Sequence, residues 1–408
     1  MGFSIFNHLQ KLISISTVIH IEQLKKTTPL HNSRDEYDVA IVGGGLSGLA
    51  IAIQLSALKY KVVLFEKEKY PFHKVCGEYI SLESWDFLQS LGVDLDALHV
   101  SIITRLQISS VKGNLLEQFL PLGGFGISRY ILDNKLVELA RVNGVNVLEN
   151  TKVNDVLFSG NQFYIDAGKQ YSAKIVCGGY GKRSNIDIKW KRPFILTTKN
   201  KLNNYLGIKY HIKANFPDDT IALHNFDNGY CGIVKIEDDK YCLCYLTTAA
   251  NLEKCKGNIK IMEDTILSKN PYLKQILHEC ERLYDVPLTI SQISFEKKSQ
   301  SENHVLMIGD AAGMITPLCG NGMSMALHGS KLAAKAIDSF LQKNISRREM
   351  EQQYTKHWKQ QFGRRLKTGR QIQSLLGKGN ITTLFIRLVK PFPTLINFLI
   401  RQTHGKTF

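Results

Sequence analysis

The sequence of 408 residues predicts an α/β chain with an α+β second domain and a helical tail. Three observations predict it. An apolar run leads into a glycine cluster and a helical pattern over 37–60. A second strand–loop–helix pattern stands far away, at 304–340. Between them, stretches such as 228–247 alternate as the strands of an antiparallel sheet do. The length suffices for two or three domains, and 44% apolar with 22% charged residues is a globular composition.

"YDVAIVG" (37–43) is apolar and β-branched, suited to a buried parallel strand, and "LSGLAIAIQLSALKY" (46–60) reads as a helix. Gly43, Gly45 and Gly48 match G-x-G-x-x-G. The first permits a tight turn, the second lets backbone approach a pyrophosphate, and the third lets helix pack on strand. Leu46 and Ser47 open the helix, where free N–H groups and the dipole favour a diphosphate. The next strand, "KVVLFE" (61–66), ends in Glu66, 18 residues after Gly48, with Lys67 beside it. That is near the spacing of an acid that binds ribose hydroxyls in a Rossmann-like βαβ unit. An acid there disfavours a 2′-phosphate, so NADP is not expected at this site.

"HVLMIGDAAGMITPLCGNGMSMALHGSKLAAKAIDSF" (304–340) begins as an apolar strand ending in Gly309-Asp310. A loop with Pro317 follows, then Gly320, Gly322 and Met323 open a helix with small residues on one face. A plain NAD dehydrogenase has no need of this second half. FAD does, because a ribityl chain and an isoalloxazine ring extend beyond its diphosphate. An acid at a strand end can accept from ribityl hydroxyls, and a helix N-terminus near Gly322 can stabilise negative charge on reduced flavin.

With these motifs the sequence resembles the FAD-dependent aromatic hydroxylases (group A flavin monooxygenases) and geranylgeranyl reductases, over about 36–345. The match includes "ISRYILDNKLVELARVNGVNV" (127–147) and "TKVNDV" (151–156), read as a helix and a strand. The resemblance implies that Arg129 contacts the FAD diphosphate region and that Val153 lies at the adenine. It implies an FAD-binding domain of 36–185 and 295–345, a substrate domain of 186–294, and NADH or NADPH as a transient electron donor.

The sequence departs from the family at two places. "GGYGKRS" (178–184) has Tyr180 where the hydroxylases carry an aspartate linked to FAD and nicotinamide binding. "NGYCGIVKIEDDKYCLCYLT" (228–247) keeps Tyr230 but has Gly232 and Val234 where the reductases carry aromatics. It reads as a hairpin turning at 237–239. "FHKVCGEYIS" (72–81) is the stretch most like the reductases, which makes Cys76, with Tyr230, a candidate catalytic residue over the flavin.

Eight scattered cysteines form no CxxC pair, which predicts a reducing, cytoplasmic setting and no metal site. Residues 1–35 read as an extension without the order of a secretory signal. Of the net charge of +16, residues 340–408 hold 14 Lys/Arg and two acids. No nucleic-acid motif accompanies this charge. It suits an acidic carrier protein or an anionic membrane surface, or simply a solvated helical face. Helices are expected over 346–408, with Pro391 and Pro393 splitting 380–402.

The reaction expected first is hydroxylation of an aromatic or lipid-like substrate, free or bound to an acidic carrier that the basic tail would suit. The alternatives are reduction of isoprenoid double bonds and FAD binding without catalysis.

Overall fold

The computed structural model describes residues 35–196, 205–316, 320–375 and 379–408. The expected N-terminal extension and Pro317 lie outside the described residues.

The chain starts with β1 (Asp35–Val42), α1 (Leu46–Ala57) and β2 (Val62–Phe65). From Val39 to Val42 every residue of β1 is buried, as is all of β2, and the two pair in parallel, Val39 opposite Val62 and Val42 opposite Phe65. The chain then crosses to a second sheet for β3 (Tyr79–Ser81), β4 (Ser101–Ser109) and β5 (Leu115–Gly126). It returns through α2 (Arg129–Val142), β6 (Asn146–Leu148) and the run β7 (Asp155–Ser159), β8 (Gln162–Asp166), β9 (Gln170–Gly178). The strand expected over 151–156 begins only at Asp155, because the preceding residues carry no ladder partner.

The second sheet gains β10 (Tyr205–Lys213), β11 (Thr220–Phe226), β12 (Gly229–Lys235), β13 (Tyr241–Thr248), β14 (Glu281–Arg282) and β15 (Leu288–Ile293). Helix α3 (Pro271–Glu279) lies between β13 and β14 in sequence. The first sheet is completed by β16 (Ser301–Glu302) and β17 (Val305–Met307). Four helices close the chain: α4 (Gly322–Leu341), α5 (Arg347–Leu375), α6 (Gly379–Val389) and α7 (Pro393–Thr403).

The main path of the first sheet runs β16-β17-β9-β1-β2-β6, and that of the second β14-β10-β13-β12-β11-β4-β5-β3. The middle of the chain thus supplies most of the second sheet, while β3, β4 and β5 come from within 36–185. The stretch 194–216 reads from sequence as strand; of its described residues, those up to Leu196 belong to the short helix Pro193–Leu196 and Tyr205–Lys213 form β10.

The second sheet has two unlike faces because side chains alternate along each strand. Ile208, Tyr210, Ile212, Leu243 and Tyr245 pack under Met262, Leu267, Leu273 and Leu277. The intervening residues Lys209 and His211 point the other way, toward the loop that carries Cys76. Residues 37–408 form one compact unit.

Candidate functional site

Ligands in open α/β sheets sit beyond the carboxyl ends of the strands. Here Gly43 follows β1, Glu66 follows β2, Gly178-Gly179 ends β9, and Gly309-Asp310 follows β17. A Cβ added to Gly43 (φ +105°) would lie 2.8 Å from Tyr180 Cα, so the "GGYG" loop presses on the glycine loop despite its departure from the family pattern. A Cβ on Gly309 (φ +58°) would lie 2.5 Å from Ser47 Oγ. The second strand–loop–helix therefore bears directly on the first turn of α1, and the two distant motifs face one site.

Gly45 is the N-cap of α1 and makes no side-chain cap, which leaves the first-turn amides for a ligand. In front of it the space is open: an added Cβ would meet only the Arg129 guanidinium, at 3.9 Å. Leu46 and Ser47 are buried in that turn, and Gly48 packs on the Gly43 carbonyl. Arg129 begins α2 and is aimed by Asp133, with Nε at 2.8 Å and a second nitrogen at 2.7 Å from its carboxylate. Lys74 joins the same carboxylate at 2.9 Å. Burial works against ionisation of Asp133, but these two cations outweigh it and hold its carboxyl below the usual value.

Glu66 is buried and accepts from Gly44 N–H at 2.9 Å and from Glu68 N–H at 3.1 Å, one bond on each oxygen. Each oxygen keeps a further lone pair for a hydroxyl. Lys67 is exposed, 3.5 Å from Glu68. Val153 is buried in the coil before β7.

A cleft beyond β17 is lined by Asp310, Gly313, Ile315, Gly322 and Ala326, with Trp358 of α5 at its wall. Among the described residues no hydrogen bond reaches the Asp310 carboxylate. Burial raises its pKa, against the pull of Lys298, Arg129 and Lys182. Lys298, which sequence reasoning missed, donates to the carbonyls of Lys182 (2.7 Å) and Asp310 (2.8 Å). Burial lowers its pKa to about 8, with Asp310 opposing. An unpartnered acid in a cleft, an open glycine cradle and an uncapped helix N-terminus fit the ribityl, diphosphate and ring ends of FAD respectively. When bound, FAD supplies the redox chemistry, and the protein orients it.

Cys76 approaches the same place from the loop after β2. Its Sγ lies 3.6 Å from Sδ of Met323, in the first turn of α4. Burial raises its thiol pKa, opposed by Arg129, so the proton stays on sulfur near neutral pH. Gly320 (φ +63°) borders the site under the Tyr79 ring, and Gly322 begins α4. Tyr230 is buried on β12, within an apolar cluster that includes Tyr79, Leu223, Leu246 and Phe295.

Beneath the Cys76 loop lies a group that the sequence reading did not find. Glu78 is fully buried and ion-paired to Lys209, while His211 Nε2 lies 2.7 Å from its other oxygen. The Arg129 amide also donates to Glu78, at 2.8 Å. Burial raises the Glu78 carboxyl, but His211 and Lys209 reverse this and hold it below its usual value. Cys242, which donates to the Cys76 carbonyl at 3.2 Å, completes with Glu78 and His211 a set of possible metal ligands. The signal lay in Lys209 and His211, two polar side chains two apart between the apolar Ile208, Tyr210 and Ile212.

Residues 38–74 match the family profile of FAD dependent oxidoreductases, and residues 261–368 that of squalene epoxidase. The digeranylgeranylglycerophospholipid reductase of Methanosarcina mazei is 24% identical over 362 residues, 81% of this chain and 82% of that one. The chain is thus similar to FAD-dependent oxidoreductases at its glycine loop and to one of their reductases over most of its length. Conditioned medium factor receptor 1 of Dictyostelium discoideum is 25% identical to this flavoprotein over 360 residues, covering 80% of this chain and 68% of that one. A geranylgeranyl bacteriochlorophyll reductase-like structure from Thermoplasma acidophilum superposes on it with TM-score 0.75 at 17% identity, covering 92% and 97% of the two chains. The chain therefore shares the fold of that protein; FAD as its cofactor rests on the profile matched at residues 38–74.

Proposed function

We propose that this FAD-dependent oxidoreductase transfers one oxygen atom from O2 to a long, apolar, lipid-like substrate. The other oxygen leaves as water, and NADH or NADPH supplies the two electrons. The observation that carries this reading is the apolar cluster beside Gly320, where the Tyr79 ring packs. It includes Tyr79, Tyr230, Leu223 and Leu246, with Met314 and with Phe385 and Ile400 of the C-terminal helices packed against it. Parted to admit a substrate, such a cluster would orient a chain without polar handles and exclude the water that would divert activated oxygen. The match to an epoxidase family over 261–368 supports the same direction. In this reading Arg129, Glu66 and Asp310 hold the cofactor, and Tyr230 and Tyr79 shape the substrate side.

A second reading, saturation of an isoprenoid double bond, has its own support. The protonated Cys76 thiol stands at the start of α4, where it can give a proton to carbon, and a relative of similar length is named for a reduction of this kind. The test is purified yellow protein with NADH or NADPH and isoprenoid lipids, with and without oxygen. Oxygen uptake matched by an oxygenated product supports the first reading. Anaerobic saturation of the alkene overturns it in favour of the second.

A further inference from the structure

We propose that α6 and α7 form a docking face that lies in the surface of an anionic lipid bilayer. Both helices are apolar on two sides. Inward, Ile386, Val389 and Ile396 are buried against Leu116 of β5. Outward, Ile381, Leu384 and Leu388 recur at three- and four-residue spacing on α6, followed by Phe392 in the connection and by Leu395 and Phe398 on α7. These six are 43–61% exposed. A helix on the surface of a globular protein ordinarily turns charged residues to water, and here large apolar side chains take that position.

The exposed charged residues among and just after them are all cationic, Arg387, Lys390 and Arg401, with Thr394 an exposed neutral group. No acid occurs anywhere after Glu351, whereas eleven Lys and Arg do. An apolar strip flanked by cations and free of acids matches the boundary of acyl chains and anionic headgroups. An acidic protein partner would satisfy the charges but has no evident use for six large apolar side chains in a row. Neither helix can span a bilayer. Each has 11 residues, where about 20 are needed, and the two are bent from one another by 118°. That geometry lays both helices in one interface. The inference concerns attachment and is independent of which reaction the flavin performs.

The full-length, FAD-loaded protein is sedimented with vesicles of phosphatidylcholine alone and of phosphatidylcholine with phosphatidylserine. The expected result is binding to the mixed vesicles, weakened by high salt, with little binding to the neutral ones. Leu388→Glu, Phe392→Glu and Phe398→Glu combined should weaken it by about tenfold or more, with the yellow spectrum and melting temperature retained. A milder variant, Phe398→Ser alone, keeps the test valid should the triple variant fail to fold, and should weaken binding measurably. Failure of the wild type to bind mixed vesicles overturns the proposal, as does equal binding by the variants. A lipid-free dimer that the same substitutions dissolve also overturns it, because the face then belongs to a second copy of this chain.

Discussion

Cys76 Sγ and Met323 Sδ lie 3.6 Å apart, although 247 residues separate them in the chain. The contact brings the loop after β2 onto the first turn of α4, so a thiol stands where the second glycine-rich motif begins a helix. Cys76 packs against the main core there, and the proposed alkene reduction would use its thiol as the proton donor.

Cys76→Ser separates these roles. FAD should remain bound, since no glycine-loop contact changes. If the thiol donates a proton in alkene reduction, turnover should fall by about a hundredfold. Under oxygen transfer it should stay near the wild-type rate. Steady-state turnover at matched flavin content reads the difference.

Asp310→Ala should weaken FAD retention. A carboxylate accepting from ribityl hydroxyls contributes about 1.5–3 kcal/mol, or roughly 10- to 100-fold in affinity. Titration of apoprotein with FAD, followed by flavin fluorescence, measures it. Full retention of yellow colour through desalting would count against a ribityl contact.

Gly309→Ala tests the junction of the two motifs. Alanine at φ +58° is strained by about 1–3 kcal/mol, and its methyl would press on Ser47 Oγ. The variant should melt earlier and bind FAD more weakly. Adding Ser47→Gly should recover only the part due to crowding, which a double-mutant cycle by denaturant unfolding resolves.

Glu78→Gln should destabilise the fold by about 3–5 kcal/mol at neutral pH, because Lys209 is left charged and buried without its partner. Glu78 has a folded pKa below its unfolded value. Its contribution is therefore complete above the ordinary carboxylate range and is lost as pH falls through the depressed value. Wild type and variant should converge in stability toward acid pH. A constant gap between their urea midpoints down to low pH would sink this account.

Much of the first sheet and its motifs was legible because each depends on local chemistry. Gly43, Gly45 and Gly48 announce a tight turn and a close approach at short spacing, and Glu66 follows at the end of the next apolar run. The hairpin turning at 237–239 and the break at Pro391–Pro393 are equally local. Strand limits were less legible where a partner decides them: 151–154 carry Thr151 and Val153 but make only single backbone bonds, to Glu66 and Asp166, and no ladder. The loan of β3, β4 and β5 to the second sheet was not visible, because pairings such as β4 with β11 join residues more than a hundred apart.

By itself the sequence pointed to a dinucleotide at a glycine loop with an acid at the end of the next strand, and to FAD through the second motif, while Arg129 entered only through the family resemblance. Only the tertiary structure decided that Gly309 touches Ser47, that Asp133 aims Arg129, and that Glu78, Lys209 and His211 meet under Cys76. The physical reason is range. Backbone turns and strand periodicity are set by neighbours a few residues away. A buried charge cluster is set by which faces of distant strands the packing brings together, and alternation along β10 alone could not say what Lys209 and His211 would find opposite them.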